Sequence, residues 1–236
     1  MRMMRLTTDL VFPLHCPVCD ELAPPGRAIC PECERFMRPL PGPRCMKCGK
    51  KVAEEEEYCG DCIRITHRFD RGRALYEYDC VAASIYRMKY GGRREYAAYF
   101  GREMAEKMGD FVRQVSPDAL IPVPLHAKRF RQRGYNQAAL LARAMGREIG
   151  VPVREDLVLR VKNTKPLKRQ NPTERQNNLK KAFIINQNDV KLKLKSTIII
   201  DDIYTTGSTV DAVAGVLKDW GVERVGVITL ACGAGV

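Results

Sequence analysis

The sequence has no apolar segment long enough to cross a lipid bilayer, and it shows no signal-peptide pattern. The start, Met1–Arg5, is basic, but the apolar stretch after it is interrupted by Thr7, Thr8 and Asp9. A cleavable leader is therefore not expected, and a membrane-spanning helix is not expected either. Without either segment, we expect the chain to work in the cytoplasm.

Acidic residues are too few to balance the basic ones. The 236 residues include 40 Lys and Arg against 28 Asp and Glu, a net charge of +12. Residues 1–66 hold 10 of each sign, so the whole excess lies in residues 67–236. Residues 126–181 carry 15 basic and 4 acidic side chains, which gives +11. Such a field attracts pyrophosphate, a nucleotide or a nucleic-acid backbone, although a basic surface that only faces solvent has the same composition.

The N-terminal 66 residues lack the apolar material for a hydrophobic core but are rich in cysteine. Eight of the ten cysteines form four Cys-x-x-Cys pairs, and each cysteine of the first two pairs recurs 29 residues later. This spacing lets both thiolates of a pair face one metal ion, and two pairs complete a tetrahedron. Disulfides are disfavoured in a reducing compartment. A segment without a core needs the metal in order to fold.

The repeat predicts two structural zinc ions. In the sequential arrangement one ion is bound by Cys16, Cys19, Cys30 and Cys33, and the other by Cys45, Cys48, Cys59 and Cys62. The duplicated spacing favours this arrangement because each copy is then self-sufficient. A cross-braced arrangement, with the first pair joined to the third and the second to the fourth, stays open, as does a redox role. Four thiolates leave no position for water, so the zinc would be structural and not catalytic.

A second pattern lies near the C-terminus, where the apolar strand Ile198–Ile200 is followed by Asp201 and Asp202. A hydroxyl-rich turn comes next and leads into the apolar helix Val210–Trp220. Free amides at the helix start, together with its dipole, attract a phosphate. The two carboxylates can accept hydrogen bonds from a pair of ribose hydroxyls. The simpler interpretation is that one aspartate only caps the helix. The residues expected to bind phosphate are Thr205, Thr206, Gly207, Ser208 and Thr209.

This pattern resembles the phosphoribosyl pyrophosphate (PRPP) motif of type I phosphoribosyltransferases. The resemblance implies that Asp201 and Asp202 hold the ribose 2′- and 3′-hydroxyls while Thr205–Thr209 holds the 5′-phosphate. Mg²⁺ would accompany PRPP and would be bound mainly by its oxygens and by water.

Two basic segments are similar in position to the other ligand loops of these enzymes. Val123–Arg133 is similar to the loop that grips pyrophosphate, which implies that Lys128 and Arg129 bind PRPP. The polar segment Asn163–Lys180 has the length of a functional loop or of a plain linker. The resemblance implies that it closes over PRPP. The residues implied to act in catalysis are Asp201, Asp202, Arg133 and Arg175.

The order of motifs along the chain resembles the ComF family. The motifs are the cysteine pairs, Met88–Gly92, Pro122–Leu125, Arg133–Gln137 and Ile200–Gly207. The resemblance implies a double zinc ribbon in residues 1–66 and a type I phosphoribosyltransferase-like domain in residues 67–236. It also implies a role in handling incoming single-stranded DNA during natural transformation, with a competence helicase or DNA-processing proteins as partners. Whether the chain is an active phosphoribosyltransferase with an unidentified acceptor, or a non-catalytic PRPP- and DNA-binding module, stays open.

Strand-like and helix-like segments alternate through the second part of the chain. This alternation predicts an α/β fold with a mostly parallel sheet and flanking helices. One helix is expected over Glu95–Val115 and another over Ala138–Gly150, with a strand over Asp156–Val161. The ligand should lie at the carboxyl ends of the strands.

Overall fold

The computed structural model describes residues 14–162, 181–186 and 193–233. Helices and strands alternate after a cysteine-rich start. In chain order they are α1 (Pro31–Glu34), α2 (Gly60–Arg64), β1 (Arg71–Glu77), α3 (Tyr78–Tyr90), α4 (Tyr96–Lys107), α5 (Gly109–Val115), β2 (Ala119–Pro122), α6 (Ala127–Arg133), α7 (Gln137–Ile149), β3 (Val158–Arg160), β4 (Phe183–Ile185), β5 (Ser196–Tyr204), α8 (Ser208–Asp219) and β6 (Arg224–Cys232).

Four of the strands form a parallel sheet in the order β1-β6-β5-β2. The β-branched run Thr197–Ile200 lies at its centre, and its side chains are buried on both faces, as parallel strands between helices require. Strands β3 and β4 form a separate antiparallel pair. The predicted mostly parallel sheet with flanking helices is therefore confirmed.

The sheet separates two hydrophobic cores. Successive side chains of a strand point to opposite faces, so Ile198 and Ile200 belong to the core covered by α3, α4 and α7. Ile199 belongs to the core covered by α8. Among the described residues, no helix is both long enough and apolar enough to span a lipid bilayer.

The cysteine-rich part covers the free edge of β1. The Gly72 amide donates to the Lys47 carbonyl oxygen at 2.7 Å, and the Leu40 amide donates to the Leu75 carbonyl oxygen at 2.7 Å. The backbones approach so closely that a Cβ on Gly49 would lie 2.6 Å from the Gly72 carbonyl oxygen. An exposed edge strand invites pairing with other chains, and here the ribbon supplies the partner groups.

Three predicted elements differ from the structure. The helix expected over Glu95–Val115 is two helices, because the chain turns at Met108 (φ −106°) before Gly109. Most of the expected pyrophosphate loop is the helix α6, which is capped by His126 and ended by Gly134 at φ 80°. The third difference is that β5 continues through Asp201 and Asp202, whereas the sequence predicted that the strand ends before them.

Candidate functional site

The acidic pair lies inside β5 and not after it, because the strand continues through Asp201 and Asp202 to Tyr204. The turn after the strand contains only Thr205–Gly207, and α8 begins at Ser208. Gly207 has φ 76° and is the N-cap residue, and no side chain caps the helix. Neither aspartate is therefore a helix cap, and the first amides of α8 have no side-chain acceptor.

A small cavity of about 30 Å³ lies between the end of β5 and the start of α8. Two hydroxyls converge there, since Thr206 Oγ1 and Ser208 Oγ are 2.8 Å apart. Gly207 adopts a positive φ of 76° at the point where α8 begins, and the start of a helix presents free amides that can bind a phosphate. The structure thus brings the predicted loop residues together with one aspartate. The lining residues are Asp201, Ile203, Tyr204, Thr205, Thr206, Gly207, Ser208, Thr209 and Val210.

The two carboxylates are both buried but have different partners. Asp202 Oδ2 lies 2.5 Å from Lys89 Nζ, whereas Asp201 Oδ1 accepts a hydrogen bond from the Asp202 amide at 2.9 Å. Burial raises the pKa of Asp201 well above its usual range, and the charge of Asp202 raises it further, while Lys89 acts in the opposite direction. Such a carboxyl group interacts best with a ligand that supplies hydrogen-bond donors or positive charge.

A larger cavity of about 600 Å³ lies beside Lys89. Three of its lining side chains are cationic and none is acidic, so it suits an anion. The Arg133 guanidinium lies 5.5 Å from the centroid of the Tyr90 ring, and Tyr135 Oη donates to the Met88 carbonyl oxygen at 2.6 Å. The acidic pair is connected to both cavities, because Asp201 lines the small one and Asp202 contacts Lys89, which lines the large one. The lining residues are Lys89, Tyr90, Gly92, Arg129, Gln132, Arg133 and Tyr135.

The other predicted ligand residues fall in different places. Arg129 and Arg133 line the basic cavity, whereas Lys128 is an exposed residue of α6 outside this lining. Arg175 and the rest of the segment Asn163–Lys180 lie outside the described residues.

Sequence reasoning missed several residues of the site. Lys89 and Tyr90 lie in the Met88–Gly92 motif but received no role, because nothing local links them to Asp202. Arg160 on β3 was missed for the same reason. Burial lowers the pKa of Arg160 and the charge of Arg129 lowers it further, while Asp201 opposes both effects.

The eight paired cysteines form two separate clusters, in the sequential arrangement. Within each cluster the sulfur atoms lie within 4.8 Å of one another. Neighbouring Sγ atoms are 3.6 Å apart for Cys16 and Cys30 and 3.5 Å apart for Cys48 and Cys59. A tetrahedral zinc ion with bonds of about 2.3 Å places its sulfurs about 3.8 Å apart. The donor set therefore fits one structural zinc ion in each cluster.

Comparisons with known protein families find one match in the N-terminal part of the chain and another in the C-terminal part. A family described as the double zinc ribbon domain matches residues 7–63. A family described as the phosphoribosyl transferase domain matches residues 133–234.

ComF-type relatives match along nearly the full chain. Competence protein F of Haemophilus influenzae is 29% identical, with 92% of this chain and 95% of the relative covered. Competence protein ComFC of Bacillus subtilis is 28% identical, with 89% and 91% covered. DNA utilization protein YhgH of Salmonella typhimurium is 28% identical, with 92% and 96% covered. The chain is thus similar to competence and DNA-utilization proteins over most of its length, and the predicted resemblance to the ComF family is confirmed.

Proposed function

We propose that the chain binds PRPP together with Mg²⁺ and acts in the cytoplasmic handling of single-stranded DNA during natural transformation. One observation carries the first part of this proposal. Asp201 and the hydroxyl-rich turn line one cavity at the start of a helix that no side chain caps. A phosphate attached to a sugar needs this combination of free amides and a nearby acceptor of hydroxyl protons.

The two cavities correspond to the two charged ends of PRPP. The 5′-phosphate would lie against Thr205–Thr209, and the pyrophosphate in the basic cavity near Arg129 and Arg133. The ribose hydroxyls would then face Asp201 and Asp202 between them. Lys89 neutralises Asp202, which leaves few protein ligands for a cation. Mg²⁺ would therefore be bound mainly by PRPP oxygens and water, where it would neutralise charge on the pyrophosphate.

If the site is catalytic, a nucleophile attacks C1 of the ribose. The bond from C1 to the pyrophosphate oxygen breaks, its electron pair leaves with pyrophosphate, and the nucleophile loses its proton to solvent. The chain would contribute positioning and charge stabilisation and no covalent intermediate. Arg133 and Arg175 would stabilise the leaving group, and Lys128 and Arg129 would hold PRPP before the reaction. The acceptor is unidentified.

The DNA-related part of the proposal rests on the relatives' names and on the surface near the basic cavity. Tyr86 and Tyr90 are exposed on α3, and their ring centroids are 5.1 Å apart. Exposed aromatic rings beside arginines can stack with the bases of a single strand. A competence helicase or DNA-processing proteins would be the partners. The zinc ribbon would extend over residues 1–66 and the phosphoribosyltransferase-like domain over residues 67–236.

Calorimetry with PRPP and Mg²⁺ tests the binding site, and an assay of released pyrophosphate then tests catalysis. Replacement of one carboxyl group, by Asp201→Asn or Asp202→Asn, should weaken PRPP binding about thirtyfold, because each removes a carboxyl oxygen that can accept a hydrogen bond from the ribose. Asp110→Asn is the control, since Asp110 is an exposed residue of α5. Absence of PRPP binding by the folded, zinc-loaded chain would overturn the proposal. Binding without turnover would favour the non-catalytic alternative.

A further inference from the structure

Tyr204 lies between the second cysteine cluster and the phosphate-binding turn. It is the last residue of β5 and is 2% exposed. Its side chain lies in the same buried core as Cys45, Cys48 and Cys59, and burial together with the charges of the nearby cluster thiols raises the pKa of its hydroxyl. Phe69 packs edge-on against its ring at 6.2 Å, and Lys50 Nζ lies 5.7 Å from the ring centroid. Phe69 and Lys50 therefore both contact the Tyr204 ring beside the second cysteine cluster.

The other side of the same ring supports the turn. A Cβ added to Gly207 would lie 2.8 Å from Tyr204 Cζ and 3.0 Å from His67 Cε1. No side chain has room there, so the Gly207 backbone lies directly on the two rings. Any movement of Tyr204 away from the cluster would displace the residue whose φ of 76° shapes the turn.

His67 extends this contact to the first turn of α8. Its Nε2 lies 3.4 Å from Tyr204 Oη, and its ring stacks on Phe69 at 4.8 Å. Its Nδ1 lies 3.5 Å from Asp211 Oδ1, and Asp211 also accepts a hydrogen bond from the Arg68 amide. The two rings thus contact both the turn and the helix start that supply the amides of the site.

We propose that Tyr204 and His67 are positioning residues that couple the second cysteine cluster to the phosphate-binding turn. Metal bound at Cys45, Cys48, Cys59 and Cys62 fixes the Cys48 sulfur, which orients Tyr204 and thereby holds Gly207. This inference rests on the proposed PRPP site, whose ligand the turn would bind. Outer-shell donors to metal ligands commonly control both ligand orientation and activity.

The first cysteine cluster has no such connection. It belongs to the core on the other face of the sheet, and its nearby contacts are to α3, α4 and the residues between them. Tyr96 Oη donates to Asp20, and Arg93 Nε lies 2.9 Å from the same carboxylate. Among the described residues, no hydrogen bond, ion pair or ring contact joins residues 14–33 to the turn. The two copies of the repeat therefore provide an internal comparison.

The first test compares Tyr204→Phe with Tyr96→Phe. Both substitutions remove one buried hydroxyl at a contact between a zinc ribbon copy and the rest of the chain. In Tyr204→Phe we expect faster amide hydrogen exchange over residues 205–211. We also expect about tenfold faster release of one of the two zinc ions to a colorimetric chelator, and about tenfold weaker PRPP binding. Tyr96→Phe should leave exchange in the turn and PRPP affinity unchanged.

The second test compares Cys62→Ser with Cys33→Ser, which occupy equivalent positions in the repeat. Each variant should lose one zinc ion per chain by metal analysis. Only Cys62→Ser should increase amide exchange over residues 205–211 and weaken binding of PRPP with Mg²⁺. Equal effects of the two variants, or an unchanged turn in both Cys62→Ser and Tyr204→Phe, would overturn the coupling. If the parent chain binds no PRPP, the proposed function fails, while exchange and zinc release still test the coupling.

Discussion

Asp201 shows how burial gives one side chain of the site an unusual protonation. Its pKa is raised because burial disfavours the charged form and because Asp202 lies beside it. The folded protein therefore keeps this proton to a higher pH than the unfolded chain, in which the pKa of an aspartate is about 3.9. The free energy of unfolding then falls as the pH rises between the two pKa values.

Asp201→Asn should stabilise the fold most at high pH, because asparagine has no proton to lose. The gain in Tm over the parent chain should be larger at about pH 8 than at about pH 5. Thermal unfolding of zinc-loaded protein at both pH values checks this, with the exposed Asp110→Asn as the control. A gain that does not change with pH would show that Asp201 is ionised in the folded state.

Glycine is required at position 207 for two reasons. Its φ is positive, and the rings of Tyr204 and His67 leave no room for a Cβ atom. Gly207→Ala forces a side chain into a positive φ and into contact with Tyr204 and His67, and should cost about 3 kcal/mol or more of unfolding free energy. Gly150→Ala is the matched control, since Gly150 has φ 70° with nothing within 4 Å of an added Cβ. It should cost about 1 kcal/mol. Denaturant unfolding measures both, and equal costs would show that the rings yield.

At the scale of the element, α6 concentrates positive charge at one end of a short helix. Arg131 and Arg133 occupy its last turn, where they complement the negative end of the helix dipole. Arg129 and Arg133 also line the basic cavity. Because this segment is a helix and not the predicted loop, Arg129 and Arg133 lie on one rigid element beside the cavity.

Substitutions in α6 should reduce the salt dependence of single-stranded DNA binding. Each lost phosphate contact lowers the slope of log affinity against log salt by about 0.7, so Arg129→Ala and Arg133→Ala should each lower it by about that amount. Arg113→Ala, an exposed residue of α5, should leave the slope unchanged. Fluorescence anisotropy over a salt series gives the slopes. Equal slopes in all variants would place the DNA contact elsewhere.

At the scale of the whole molecule, the ribbon and the sheet depend on each other. Residues of the second cluster are part of the core that α8 covers, and the ribbon backbone pairs with β1. Metal binding supplies the folding free energy of such a small module. Loss of zinc therefore exposes both core residues and the edge of the sheet.

Removal of zinc by a strong chelator should make the chain self-associate, because the uncovered β1 edge has free amides and carbonyls. Light scattering should rise, and a dye that binds apolar surface should become more fluorescent. The same chelator already saturated with zinc is the control. A chain that stays monodisperse and keeps its Tm after losing both ions would contradict the structural role of the metal.

Short-range patterns in the sequence were enough to predict the two cysteine clusters, the strand and helix on either side of the hydroxyl-rich turn, and the family resemblance. These patterns are the cysteine repeat, the segment from Ile198 to the start of α8 and the order of motifs along the chain. Each depends on residues that are close together in the sequence, so it can be recognised without the tertiary structure. Only the tertiary structure decided that Lys89 contacts Asp202 and that Tyr204 packs in the core of the second cysteine cluster and against Gly207. These contacts depend on how the sheet, the helices and the ribbon pack. The residues that form them are far apart in the chain and share no pattern that spacing could reveal.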